Sequence, residues 1–138
     1  MTPLTASMSS THSVFGAANC IDGKTKNSGD ANMCATKEEN APWLAIDYGT
    51  DVLVERVEIF NRINCCGDRA RNIDVYISNA LPTSANEMYD EGGPRFGHYD
   101  GPGEDGEHII ISGEISSVTL RCFLFKSTFQ DHQHPADM

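Results

Sequence analysis

Two adjacent cysteines set between two arginines, Arg62-Ile63-Asn64-Cys65-Cys66-Gly67-Asp68-Arg69, are the residues of this chain best suited to chemistry. If oxidised, Cys65 and Cys66 close a small ring through their own peptide bond, and adjacent Cα atoms lie closer than an ordinary disulfide prefers. Local strain of that kind is retained mainly where a site uses it. The ring presents a flat, soft, apolar surface, and the guanidiniums of Arg62 and Arg69 offer forked donors on either side. Together they suit a small ligand with one apolar face and several oxygens, a description that a sugar meets. The plainer alternative is a tight turn holding two unrelated thiols, with the arginines in ordinary surface ion pairs.

Reactive constellations are missing elsewhere. The sequence has no Gly-x-Ser-x-Gly, no phosphate-cradling glycine loop and no His-Glu-x-x-His, and nothing sets two carboxylates as an acid–base pair, so no enzyme activity is expected. His132-Gln133-His134 could hold a metal weakly but reads better as part of a solvated tail.

The elements that must position the Arg–Cys–Cys–Arg segment are strands. Trp43-Leu44-Ala45-Ile46-Asp47-Tyr48 ends at Gly49, and residues 52–60 carry apolar side chains at alternate positions. Residues 72–78 alternate cleanly, and residues 108–111 and 118–125 complete the set. Period-two patterning at this spacing, without a long helical period, predicts an all-β antiparallel sandwich or barrel. Trp43 falls inside a strand pattern and is expected to pack in the core. Residues 19–32 and 92–106 read as loops, and the stretch 127–138 as a loose C-terminal tail after one domain over residues 1–126.

Bulk properties narrow the partners. A 138-residue chain with 39% hydrophobic and 22% charged residues can build one real core. A net charge of −10 argues against nucleic acid or an anionic membrane as the main partner. No apolar run reaches transmembrane length, and Met1-Thr2-Pro3-Leu4-Thr5 does not look like a secretory leader. The adjacent cysteines and loop-rich composition nevertheless favour an oxidising, extracellular compartment, which suggests an excised module, a processed form or an incomplete gene model. None of the five cysteines has the C-x-x-C spacing of a structural zinc site, and an odd number leaves one outside the intrachain disulfides.

The order of these elements resembles the F-type lectins, or fucolectins, within the discoidin-like, galactose-binding-like superfamily. Ala6-Ser7-Met8-Ser9-Ser10 resembles the opening A-S-x-S-S strand, and Asn19-Cys20-Ile21-Asp22-Gly23 the A-I-D-G loop. Ala41-Pro42-Trp43-Leu44-Ala45-Ile46-Asp47-Tyr48 resembles N-P-W-W-x-V-D-L. Asn61-Arg62-Ile63-Asn64-Cys65-Cys66-Gly67-Asp68-Arg69 resembles N-R-x-D-C-C-G-E-R, the most specific of these strings. The likeness spans about residues 5–126 and implies an antiparallel β-sandwich jelly roll.

The resemblance also implies a sugar site, a calcium site and a disulfide pattern. Arg62 and Arg69 match the two basic positions, the Cys65–Cys66 ring would press on the sugar's apolar edge, and Asn64 replaces an Asp that orients the first arginine. The family's histidine is absent. The family spacer lands on Ala35, and alignment on Cys34 puts Thr36 there, with Lys37 beside it as a cation. His12 could approach the pocket but reads better as a surface residue. For calcium, the backbone of Asn19, Lys24, Met33 and Cys122 and the carboxylate of Asp22 match by position. Met33 stands in place of a Ser and Phe123 in place of a Glu, and Asp30 could compensate; alternatively Asp22 merely forms the turn at Gly23. The family pattern pairs Cys34 with Cys122 and Cys65 with Cys66, leaving Cys20 over; Cys20–Cys34 is the rival pairing.

The leading expectation is therefore a non-enzymatic, calcium-supported lectin for terminal L-fucose or a similar sugar, acting on fucosylated glycoconjugates, without nucleic acid or membrane insertion, as a homo-oligomer or a module of a larger protein. The alternative is a discoidin-like structural or protein-interaction module that has lost sugar binding, since the His, Asp and Glu positions are not retained. A carbohydrate-binding appendage cut from an enzyme is a third reading, and a phospholipid-binding module ranks lower given the acidic balance.

Overall fold

The structure, a computed structural model, describes residues 3–25, 33–78, 95–113 and 118–127. Among these residues, seven strands form two antiparallel sheets. They are β1 (Thr5–Met8), β2 (Trp43–Val54), β3 (Arg56–Phe60), β4 (Ile73–Ser78), β5 (Arg95–Tyr99), β6 (His108–Ser112) and β7 (Val118–Ser127). The larger sheet has the order β1-β2-β7-β4-β5, and β3 pairs with β6 in the smaller one. Two short 3-10 turns, Ala17–Ile21 and Gly67–Arg69, are the other regular elements among the described residues. The all-β antiparallel sandwich expected from the period-two patterning is what forms.

Alternation decides which side chains enter the core. Leu44 on β2, Val75 on β4 and Phe123 and Phe125 on β7 meet Ile59 on β3 and Ile109 and Ile111 on β6 across the gap between the sheets. Phe96 of β5 packs edge-on against Phe123 at 5.5 Å and is 1% exposed. Burying one such side chain contributes roughly 1.5–3 kcal/mol. Residues of opposite parity, Ala45, Cys122 and Leu124, form a second buried cluster on the other face of the larger sheet, and half-buried Trp43 packs there.

The sequence pattern misplaced two features. The single run 52–60 divides at Glu55 into the end of β2 and the whole of β3, and β2 runs unbroken through Gly49, absorbing the turn signal as an irregularity between Asp47 and Val52. Gly49 has φ +74, and its N–H donates to Asp47 Oδ1 at 2.8 Å. The stretch expected as a loop over 92–106 contains β5, whose short run holds few apolar residues to betray it. Ser127 ends β7; residues 128–138, including His132 and His134, lie outside the described residues, as does Asp30.

Registers fix where the loops gather. Met8 pairs with Leu44, Trp43 with Lys126, and Ile73 with both Ser127 and Tyr99, so these strand ends share one end of the larger sheet. Phe60 pairs with His108, and Asn61 N–H donates to Glu107 O at 3.0 Å. The connections 9–42, 61–72 and 100–107 therefore leave from the same end of the sandwich. That end carries the Arg–Cys–Cys–Arg segment.

Candidate functional site

The turn carrying the two arginines is bolted to the core from below. Asn61 closes β3 with its side chain 1% exposed, and its Nδ2 donates to Gly67 O at 2.9 Å and to Glu104 O at 3.0 Å. Its Oδ1 accepts the Arg62 N–H at 3.0 Å. One buried amide thus satisfies three main-chain groups, the arrangement that makes a buried polar side chain stabilising rather than costly.

Cys65 and Cys66 are disulfide-bonded with Cα atoms 3.7 Å apart. Cys66 has φ +66, a left-handed conformation uncommon for a residue with a side chain, and both cysteines are half-buried. Cys66 stands at the start of the 3-10 turn Gly67–Arg69 but gives it no side-chain cap. The cap comes from another loop: Asp105 Oδ1 accepts the Gly67 N–H at 2.7 Å. The turn then closes through Arg69 N–H to Cys66 O at 3.1 Å, which sets Arg69 one turn beyond the disulfide. Arg62 Nε donates to Asn64 Oδ1 at 2.7 Å, so the carboxamide holds the guanidinium that a carboxylate would hold more strongly. Both arginines are half-buried.

Loop 100–107 is part of this site, and sequence reasoning missed it. Gly106 N–H donates to Arg62 O at 2.7 Å, and Gly103 N–H to Ala70 O at 2.9 Å. The packing demands glycine on both sides. A Cβ on Gly67 would lie 2.4 Å from the backbone of Glu104 and Asp105, and one on Gly103 would lie 2.9 Å from Asn61 Nδ2. The signal was present as glycine density over 101–106, which reads as irregular loop until its partner is known. Tyr99 at the loop's base donates to Glu107 Oε2 at 3.1 Å, and burial together with that carboxylate pushes its phenol up to about 12.

Thr36 and Lys37 sit on the connection 9–42. His12 N–H donates to Ala35 O at 2.9 Å, Ala35 N–H to Phe15 O at 3.0 Å, and Lys37 N–H to Ser10 Oγ at 2.9 Å. Ser10 Oγ in turn donates to Glu39 Oε2. Residues 33–35 are buried, Lys37 is exposed, and Thr36 Oγ1 is a buried oxygen without a hydrogen-bond partner among the described residues. His12 is exposed and stacks on Phe15 at 5.8 Å. Strands β2 and β4, which carry the two halves of this end, are both hydrogen-bonded to β7, which puts them about 10 Å apart.

The disulfide pattern corrects one expectation. Cys34 bonds to Cys20, with Cα atoms 5.3 Å apart, and Cys122 belongs to neither disulfide. The reason is strand parity. Cys20 packs against the core between the sheets, while Cys122, flanked by inward-facing Phe123, points to the opposite face of the larger sheet. Cys122 is 0% exposed, and its thiol donates weakly to Phe123 O at 3.6 Å.

The residues expected to hold calcium are only partly brought together. Asp22 is exposed and its Oδ1 accepts the Lys24 N–H at 2.9 Å, a turn within its own loop. Met33 O already accepts Asn19 Nδ2 at 3.0 Å, and the Met33 side chain is buried. Cys122 lies mid-strand, opposite Asp47 on one side and Ser78 on the other, where main-chain carbonyls serve the sheet. Phe123, in place of a carboxylate, is core. Among the described residues, no three His, Cys, Asp or Glu side chains cluster to hold a metal ion. Asp22 is the one carboxylate of the expected set, against the six to eight oxygens calcium takes.

A sandwich with several connecting loops gathered at one end is the architecture of galactose-binding-like domains, and the comparisons agree. A family model described as a NedA-like galactose-binding domain, of the F5/F8 type C group, matches residues 19–98, and the chain belongs to this family. Fucolectin-4 of Anguilla japonica is 32% identical over 65 residues, 47% of this chain; the match spans 36% of that relative's length. A serum fucolectin of Morone saxatilis superposes with a TM-score of 0.77 at 23% identity over 97% of this chain and 43% of that one. The lectin domain of lectinolysin, solved with Lewis b antigen, gives 0.73 at 20% identity over 97% and 85%. A fucose-binding module of Streptococcus pneumoniae gives 0.70 at 16% identity over 97% and 84%.

Proposed function

We propose that this chain is a carbohydrate-binding lectin module, non-enzymatic and extracellular, that takes terminal L-fucose or a closely similar sugar at the Arg62–Cys65–Cys66–Arg69 turn. One observation carries the reading: two half-buried guanidiniums flank a disulfide surface on a turn held by Asn61 and Asp105. The guanidiniums would donate to ring and hydroxyl oxygens, and the sulfur surface would cover the sugar's apolar edge. Relatives named as fucolectins and fucose-binding modules support the sugar class. Across the end of the sandwich, the buried oxygen of Thr36 is the group we assign to a sugar hydroxyl, with Lys37 beside it.

Calcium enters the proposal only as a brace for the 19–25 loop, with Asp22 supplying the carboxylate and Asn19 and Lys24 their carbonyls. One carboxylate makes for weak binding, on the order of 10⁻⁴–10⁻³ M as in extracellular modules. Weak single sites of this kind act through multivalency, either by self-association or as part of a longer chain.

A second reading, a protein-interaction module, is favoured by Val14 and Ile63. These side chains are 67% and 46% exposed, on the same group of loops. A glycan array run with and without chelator separates the two. We expect fucosylated glycans to bind and Arg69→Ala to abolish that binding. No glycan binding at high protein concentration overturns the lectin reading, and binding that survives Arg69→Ala overturns the site.

A further inference from the structure

We propose that the Cys65–Cys66 bond is a redox switch on the sugar site, opened by a dithiol reductant and closed again by a disulfide oxidant. The inference rests on the sugar-binding reading above and adds its regulation.

Stability does not account for this bond. A disulfide stabilises mainly by restricting the unfolded chain, and the gain grows with the loop it closes. Cys20 and Cys34 are 14 positions apart, whereas Cys65 and Cys66 are adjacent. The turn is also held by other means. Asn61 Nδ2 donates to Gly67 O, Asp105 Oδ1 accepts the Gly67 N–H, and Gly103 and Gly106 donate to Ala70 O and Arg62 O. What the bond adds is the placement of two sulfurs side by side on one surface.

The two disulfides differ in access and in geometry. Cys65 and Cys66 are both half-buried, while Cys34 is 1% exposed and Cys20 packs against the core between the sheets. Exchange requires a thiolate to reach a sulfur, and exposed disulfides are the labile, regulatory ones. The shared peptide bond holds the Cα atoms of Cys65 and Cys66 3.7 Å apart, short of the roughly 4.4–6.8 Å that an ordinary disulfide spans, which makes a bond easier to reduce.

The exchange takes two displacements. A thiolate of the dithiol attacks one sulfur of the pair, the Cys65–Cys66 bond breaks, and a mixed disulfide forms while the displaced cysteine takes up a proton. The second thiolate of the reductant then attacks its own sulfur in the mixed disulfide and releases the other cysteine, which is protonated in turn. Two electrons and two protons pass to Cys65 and Cys66, and the dithiol leaves as a disulfide. Each thiol then turns about its own χ1, and the joint apolar surface offered to the sugar is lost. Because Gly67 keeps both its partners, the loss falls on binding rather than on the fold.

The test exposes the intact, native chain to graded dithiothreitol, labels accessible thiols with N-ethylmaleimide and maps the labelled peptides. L-fucose titration and urea unfolding use unlabelled portions of the same samples. We expect Cys65 and Cys66 to be labelled together before Cys20 or Cys34, and Cys122, 0% exposed, to stay unlabelled while the chain is folded. Fucose affinity should fall about tenfold, the share that roughly 55 Å² of apolar contact supplies at about 25 cal/mol per Å². The urea midpoint should stay close to that of the oxidised chain, and glutathione disulfide should restore binding. The double variant Cys65→Ser/Cys66→Ser should bind fucose as the reduced parent does and ignore dithiothreitol. An oxidised parent that binds no fucose overturns the sugar reading and this inference with it. Where the oxidised parent does bind, this inference alone is overturned by unchanged affinity after selective reduction, by earlier opening of Cys20–Cys34, by loss of binding only once Cys122 is labelled, or by a folded double variant that binds as the oxidised parent does.

Discussion

Asp105 caps a turn to which it does not belong, and its removal tests how the site is held. The Gly67 N–H it accepts is buried, so Asp105→Ala leaves that donor without its acceptor. A buried unsatisfied donor costs about 1–3 kcal/mol. Asp105 itself is exposed, and water entering on its side recovers part of the loss, so we expect about 1–2 kcal/mol. Urea unfolding followed by circular dichroism should show a lower midpoint with an unchanged slope. Titration with L-fucose should show weakening by up to about 30-fold, the ceiling that 2 kcal/mol sets if all of it falls on the bound geometry. Asp105→Asn keeps an oxygen acceptor at the same reach and should recover at least half of both losses. Gly67→Ala attacks the same contact by volume, since its Cβ would sit 2.4 Å from the facing backbone, and should cost more than Asp105→Ala. The reasoning fails if Asp105→Ala matches the parent in both assays, or if Asp105→Asn is as damaging as Asp105→Ala.

Four further outcomes are expected. Thiol titration under denaturing, non-reducing conditions should find one thiol per chain, and peptide mapping should place it at Cys122; alkylation of Cys20 instead would restore the Cys34–Cys122 pairing. Thr36→Val removes a buried oxygen that has no partner among the described residues, so the unliganded protein should gain up to about 1 kcal/mol while fucose binding weakens; loss of stability with unchanged affinity would remove Thr36 from the site. His98 lies 2.6 Å from Asp74 Oδ1 and 2.7 Å from Asp100 Oδ1, and the bond to Asp74 leads the causes that raise its pKa above 6.5. Its contribution should be complete below pH 6.5 and lost as pH rises through the folded-state value, so thermal melts of the parent should fall over that window and those of His98→Asn should not. If calcium braces the 19–25 loop as we propose, chelator should weaken fucose binding by no more than a few-fold, because the proposed set has a single carboxylate; complete loss would mean calcium ligands beyond those we name.

The sandwich was legible because strand patterning is a local signal. Residues 73–78 alternate in sequence as they do in the sheet, and Trp43 begins a strand as its neighbours suggest. Parity, in contrast, is invisible until a register is known. Nothing local tells whether Cys122 or Phe123 faces the core, and the disulfide pattern turns on that single step. The Arg–Cys–Cys–Arg half of the proposed site was suggested by residue types at short spacing. Its support was not, because Asn61 and Asp105 are 44 positions apart and their shared work on Gly67 exists only after loop 100–107 has docked.

The two halves of the proposed site are therefore held by different means. The arginine half rests on Asn61, one side chain from the end of β3, and is tied to a second loop through Asp105 and Gly106. The Thr36 half rests on a connection that Cys20–Cys34 closes upon itself, so that disulfide does not tie it to β7. Its ties to the sheet include a main-chain and a hydroxyl bond at Ser9, Ser9 N–H to Trp43 O at 3.0 Å and Trp43 N–H to Ser9 Oγ at 3.1 Å. Neutral bonds of this sort contribute about 0.5–1.5 kcal/mol each, less than a buried amide satisfying three groups at once. A bound sugar that bridges Thr36 and Arg62 would thus gain its orientation from the arginine side and would order the Thr36 side on arrival. It follows that Ser9→Ala should weaken fucose binding mainly by speeding dissociation, while Asn61→Ala should destabilise the fold as well. Stopped-flow exchange of labelled fucose, set beside urea unfolding of the same two variants, would read both effects, and equal stability losses in the two would refute the division.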